Sequence, residues 1–429
     1  MNRFMPRHLG NFSALACATL LAFGCGGSDL SADELQAREE AQKAAITVQS
    51  FGANPISVWD EIAFKTAGAG YDLVTTHLAM YDAVMAIAGT HRPYAITPTT
   101  SGAGGGAVAM NAAAIEAAYR VLKGLFPAGG ANYEAAYADG IGAIAAGAEK
   151  SQGMAIGAEV AAGILALRAN DGRATVLPPY VPGTLPGQFR GTNPVNRIAP
   201  YVKPFATLSH SQFRAPPPPA LDSEAYAQDL NETKAIASAT STQRSAAQTE
   251  VARFHTEPPP TFWSRNLRQF STASSNLADN ARLSAMVWTA WQDAGSGCFE
   301  TKYHYNFWRP TSAIQLADTD GNDATVADPA WTPVVPTPNH PEYPAAHGCV
   351  SGAVAEALRN FYGTKKLVFD FTSTVTGQTH HYERTDELTK EIIDARVWGG
   401  MHFRNSGERG VELGKEVSHW IAKHYFQEQ

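Results

Sequence analysis

"YPAAHGCVSGAVAEALRNFY", residues 343–362, is the stretch on which the reading of this chain turns. Val350, Val354, Leu358 and Phe361 recur at three- and four-residue steps, the stripe of an amphipathic helix. Pro344 suits the first turn of that helix, where its missing N–H would have had no partner anyway. His347 then falls in the first turn, where free backbone N–H groups and the helix dipole attract anions. The small residues around it (Ala345, Ala346, Gly348, Ser351, Gly352) let something approach the backbone closely. A lone histidine here is as a rule structural, so its meaning has to come from the rest of the chain.

Working outward, helical pattern dominates. Examples are "YDLVTTHLAMYDAVMAI", "AAAIEAAYRVLKGLF" and "IGAEVAAGILALRAND" before residue 173, and "DSEAYAQDLNETKAIAS" and "SNLADNARLSAMVWTAWQDAG" after residue 219. Residues 99–107 read as a flexible loop, and 26–45 as either a tether or a first exposed helix. Strand-like alternation is confined to "KLVFDFTST" near 366–374. The expected fold is all-α, built from helix bundles. We divide it into an N-terminal helical region over 46–173, a proline-rich segment over 174–219 and a C-terminal helical domain over 220–429. The proline-rich stretch is too long for an ordinary connection, so it is either a linker or a functional cover.

At 44% hydrophobic and 17% charged residues the chain reads as globular. A formal net charge of −7 with no offsetting basic run argues against nucleic acid as a partner. No apolar run reaches the 18 or so residues of a membrane span. Residues 1–25 have the make-up of a secretory signal: Arg3 and Arg7, then "FSALACATLLAFGC". "LAFGC" is also similar to a lipoprotein-processing box, with Cys25 to be lipidated; the plainer alternative is a cleaved signal with a chance cysteine. Either way the chain is expected to be exported, periplasmic or anchored to the outer membrane of a bacterium, touching membrane only through the lipid. Cys298 and Cys349 then remain in an oxidising compartment, where two cysteines often pair.

Two further stretches carry chemistry. In "KYHYNFWRP", Lys302 and Arg309 are seven residues apart, which on one helix puts both cations on one face about 10 Å apart along the axis. Burying them needs a shared anion; otherwise they snorkel to solvent over an aromatic core. In "ARVWGGMHFRNSGERG", Arg396 ends one helical run, Gly399 and Gly400 break it, and His402 sits in the gap. Asn405 and Glu408 form a candidate capping box for a last helix. "DTDGND" at 318–323 fails as a calcium loop, because Gly321 stands fourth rather than sixth and Pro329 takes the place of the bidentate Glu. His304, His340 and Glu342 either line the pocket or lie on the surface, and "HTEPPPTFW" at 255–263 is a candidate for its mouth.

Together, Lys302-x6-Arg309-Pro310, Pro344-x-x-His347 and Arg396-x5-His402 resemble the signature shared by vanadium-dependent haloperoxidases and type 2 phosphatidic acid phosphatases. The resemblance spans residues 302–402. Two departures stand out: Ala345 occupies a position usually held by serine, and Ser406 one that often holds aspartate. Asn405, Ser406 and Glu408 are the nearby candidates for orienting His402. The resemblance implies that Lys302, Arg309 and Arg396, with Gly348, hold a tetrahedral oxyanion. His402 becomes the apical partner, either ligand to vanadium or nucleophile, and His347 the general acid/base.

Vanadate is the implied cofactor, with phosphate competing for the same site. The length of the chain and its aromatic "YHYNFWRP" lean towards a haloperoxidase, using hydrogen peroxide and a halide or a small organic acceptor, with Lys302 polarising the peroxide. The alternatives are a phosphomonoesterase acting through a phosphohistidine, or a non-catalytic oxyanion-binding lipoprotein. If Lys302 and His347 meet around one anion, Cys298 and Cys349 are carried together and a disulfide is expected; two buried free cysteines are the alternative.

Overall fold

The 3.6-residue periodicities become thirteen helices in the described part of the computed structural model, residues 44–68, 70–101 and 105–429. The leader expected over 1–25, with Cys25, lies outside these residues. Before residue 174 come α1 (Pro55–Ala67), α2 (Tyr71–Ala88), α3 (Ala107–Leu125), α4 (Gly130–Gly142) and α5 (Ala148–Arg168). After residue 219 come α6 (Glu224–Ala237), α7 (Ala246–Phe254), α8 (Pro259–Leu267) and the long α9 (Leu277–Tyr305). The chain closes with α10 (Pro310–Gln315), α11 (Ala346–Tyr362), α12 (Thr385–Trp398) and α13 (Arg404–His424). None of the described helices is long and apolar enough to cross a membrane.

A small sheet, in the order β1 (Ile46–Thr47), β2 (Leu367–Thr372), β3 (Thr379–Tyr382), is the one departure from all-helical packing among these residues. β1 runs parallel to β2 with Ile46 opposite Leu367, and β3 runs antiparallel with Tyr382 opposite Phe369. The start of the described chain is thereby tied to its C-terminal half.

That tie continues in the core. α2 is apolar on nearly every face, with Leu73, Leu78, Met80 and Val84 all buried, because neighbours surround it. It packs between α3 and α9, and one cluster of buried side chains runs from α1 through α9 and α11 to α13. A polar node crosses the same ground. Asp60 of α1 accepts from His77 Nε2 (2.8 Å) and Trp288 Nε1 (3.1 Å), and pairs with Arg268 Nε (3.0 Å).

Residues 174–219 contain little regular structure, yet they are laced to the rest. The buried Asp293 of α9 accepts from the backbone N–H groups of Phe205, Ala206 and Thr207 at 2.7–2.9 Å. Farther up, Phe189 N–H donates to Asn306 O and Trp308 N–H to Gly187 O, so this stretch lies against the segment that follows Lys302. The 318–323 loop is closed on itself by Asp320, which accepts from Asn322 N–H (2.8 Å), and stitched in by Asn322 Nδ2, which donates to Leu221 O (2.8 Å).

Candidate active site

Lys302 and Arg309 do not share one helix face, contrary to the expectation from their spacing. α9 stops at Tyr305 because Asn306 takes the left-handed conformation (φ 51°) and its N–H returns to Lys302 O. Arg309 instead stands at the N-cap of α10. The two cations still converge, on three consecutive carbonyls. Lys302 Nζ donates to Pro341 O and Glu342 O, both at 2.8 Å, and Arg309 Nε to His340 O at 2.7 Å.

The second stretch departs from expectation at its proline. Pro344 follows a cis peptide and lies outside the helix, which begins at Ala346 with Ala345 as N-cap. His347 is in the first turn, as the spacing predicts. What approaches the small residues is another helix. A Cβ on Gly348 would stand 2.6 Å from Gly407 O, and one on Gly352 2.4 Å from Val411 O. Backbone contact between α11 and α13 therefore sets His347 beside the start of α13. The N–H of Gly348 has no acceptor among the described residues. Cys298 and Cys349 are disulfide-bonded with Cα atoms 6.2 Å apart, joining α9 to α11 one turn from Lys302 and two residues from His347.

In the third stretch Gly400 (φ 77°) turns the chain out of α12, and His402 points back into the core. The expected capping box at Asn405 and Glu408 does not form. α13 starts at Arg404 with Phe403 at the N-cap and no side-chain cap, while Asn405 N–H donates to Asp229 Oδ1 (3.2 Å) and Glu408 is exposed. Nor does either of them, or Ser406, orient His402. The side chain that meets it is Glu342, whose Oε1 lies 2.9 Å from His402 Nδ1 and also accepts the Phe403 N–H at 3.0 Å. Sequence reasoning left Glu342 as a pocket liner or surface group, although it stands only two residues before Pro344.

Donor arithmetic then fixes the imidazole. Arg309 Nη1 lies 2.9 Å from His402 Nε2, and a guanidinium can only donate, so Nε2 carries the lone pair and Nδ1 the proton. Lys302, Arg309 and Arg396 are at most 3% exposed, and none has a carboxylate within ion-pair distance among the described residues. Arg396 gives Nη2 to His255 O (2.7 Å), lies 3.3 Å from the His347 ring through Nη1, and has a buried Nε without a partner. Burial pulls Arg309 down to about 10 and Arg396, with Arg309 beside it, to about 9. It pulls Lys302, His347, His340 and His402 well below their ordinary values, helped by the same cations. Burial pushes Glu342 up to about 7, against the pull of Lys302 and Arg309. An anion placed among these three cations would relieve the cost of burying them.

Two side features were only partly legible. His340 is buried with its ring 2.9 Å from Arg309 Nη2, whereas His304 is exposed. Behind Arg396, Glu391 Oε1 accepts from His255 Nε2 (2.8 Å), His380 Nδ1 (2.9 Å) and Tyr382 Oη (2.7 Å), and His380 Nε2 pairs with Glu250 (2.9 Å). This network holds the His255 carbonyl on which Arg396 rests. "HTEPPPTFW" thus contributes a backbone acceptor to the site.

Residues 282–428 match the family model of the VCPO second helical-bundle domain. Over these residues the chain is similar to the superfamily its motifs resemble. A vanadium chloroperoxidase from Curvularia inaequalis is 31% identical over a region covering 24% of this chain, and the match spans only about a fifth of that protein's length, 20%. A bacterial vanadium-dependent iodoperoxidase superposes with a TM-score of 0.67 at 20% identity, covering 88% of this chain and 99% of that one. A bacterial vanadium-dependent chloroperoxidase in its holo form gives 0.63 at 17% identity, covering 90% and 94%. These structures share the fold of the whole described chain, well beyond the matched domain.

The residues present fit vanadate. Lys302 spends two of its three N–H groups on carbonyls, and Arg396 keeps an unused buried Nε–H. Among the three cations His402 offers an unprotonated ring nitrogen, the donor a metal ion takes. Ala345 supplies no hydroxyl, so this cage has one donor fewer than a serine there would give.

Proposed function

We propose that this chain is a vanadium-dependent haloperoxidase-like enzyme, oxidising halide with hydrogen peroxide at a vanadate held by Lys302, Arg309, Arg396 and His402. The observation that carries this reading is the unprotonated Nε2 of a buried histidine among three buried cations, none of which has a carboxylate within ion-pair distance among the described residues. Bound vanadate would supply a Lewis acid that activates peroxide without changing its own redox state. The chain's own residues do the rest. The three cations and the Gly348 N–H would hold the oxyanion's oxygens, and His402 Nε2 would give up Arg309 to hold vanadium. Burial and Arg396 keep His347 neutral, so its ring can take a proton from entering peroxide and return one to the departing oxygen. The reaction balances as halide, peroxide and a proton giving hypohalous acid and water. Two electrons pass from halide to the O–O bond.

The leader over residues 1–25 supports export, with attachment to membrane through a lipid on Cys25. Phosphomonoester hydrolysis is the second reading, because the same Nε2 could attack phosphorus while His347 protonates the leaving alcohol. A side-by-side assay of the mature protein separates them: bromide oxidation by peroxide with and without orthovanadate, against hydrolysis of a generic phosphomonoester. Vanadate-dependent bromide oxidation is expected. Phosphomonoester turnover without it would replace the proposal by the second reading, and failure of both would leave an oxyanion-binding lipoprotein.

A further inference from the structure

The superfamily often carries an aspartate four residues after the histidine of its third motif, and this chain has Ser406 there. Ser406 is buried, and its hydroxyl donates to the Glu342 carbonyl at 3.4 Å rather than serving His402. We propose that Glu342 is the positioning residue of His402, a carboxylate delivered from the loop before α11 in place of the one absent at position 406. This rests on the reading of His402 as the group that holds vanadium.

Besides the Ser406 hydroxyl, four contacts hold Glu342. Its N–H donates to Phe307 O (2.9 Å), its carbonyl accepts from Lys302 Nζ (2.8 Å), and its Oε1 accepts from Phe403 N–H (3.0 Å) and His402 Nδ1–H (2.9 Å). Both side chains are sealed from solvent, at 0% exposure for Glu342 and 1% for His402. The bond therefore selects one tautomer, directs the lone pair of Nε2 at the cations and raises its strength as a ligand. Because the same residue holds Lys302 through its backbone carbonyl, the first and third motifs are set in register by one residue just before the second.

Two measurements on the mature protein test this. In ligand-free wild type, long-range nitrogen-15 NMR should find His402 protonated at Nδ1 and bare at Nε2; a proton on Nε2 overturns the proposal without any variant. Orthovanadate and sulfate affinities of Glu342→Gln supply the second. Sulfate cannot coordinate the ring, so it reports the charge of the cage alone. The vanadate-to-sulfate affinity ratio should fall about 10- to 100-fold, and Ser406→Asp in that background should restore part of it. An unchanged ratio overturns the proposal. If wild type binds neither anion, the functional reading fails, while the tautomer still decides the role of Glu342.

Discussion

His347 and His402 both stand among cations, but their surroundings assign them different work. His402 is held on both nitrogens, by Glu342 and Arg309, whereas His347 is half-buried and meets only the Arg396 guanidinium at 3.3 Å. His347→Ala should therefore lower turnover about 10²- to 10⁴-fold while orthovanadate titration still finds a site of similar affinity. Parallel loss of both would make His347 a binding group. Glu391 gives a second prediction at this scale. Burial opposes its charge, but hydrogen bonds from His255 and His380 prevail and hold its carboxyl at about 2, against an ordinary 4.5. A depressed carboxyl contributes stability that is full above pH 4.5 and lost as pH falls towards 2. Glu391→Gln should remove that part of the acid-unfolding slope, read from thermal midpoints across that window. Lys302, Arg309, Arg396 and the two histidines were drawn to one site by the resemblance of three short motifs to a known signature, since each motif alone left a structural reading open. Glu342 was not, because its partner lies sixty residues away and the nearer Ser406 occupied the place where a partner was sought.

At the scale of elements, the site depends on how closely three helices meet. α11 and α13 touch through glycines, and a Cβ on Gly414 would lie 2.0 Å from Cys349 O. The sequence advertised the small residues but left what would approach them unnamed. It also drew Lys302 and Arg309 onto one helix, since nothing local announces that Asn306 will turn left-handed and end α9. The Cys298–Cys349 bond pins α9 to α11 beside both Lys302 and His347. Reduction should weaken oxyanion binding at temperatures where the helical circular-dichroism signal is intact. Binding and helicity lost together would mean that the bond holds the fold rather than the site.

Across the whole molecule, the N-terminal helices and the C-terminal bundle share one core, and Asp60 joins them through His77, Trp288 and Arg268. Helical class and the strand near residue 367 followed from periodicity; the shared core did not, because which apolar stripes face each other is decided by topology. Asp60→Ala leaves three buried or half-buried donors unmatched and should destabilise the protein by about 3 kcal/mol, measured by denaturant unfolding. A change below about 0.5 kcal/mol would mean that this node is incidental to the joining of the two regions. All of this scaffolding serves one claim, that His402 Nε2 holds vanadium among Lys302, Arg309 and Arg396. Crystals of the mature protein soaked in orthovanadate test it most directly. The account predicts a vanadium anomalous peak at coordination distance from His402 Nε2, with the Arg309–His402 bond released. No peak in the cage, or one there with His402 still bonded to Arg309, would contradict it.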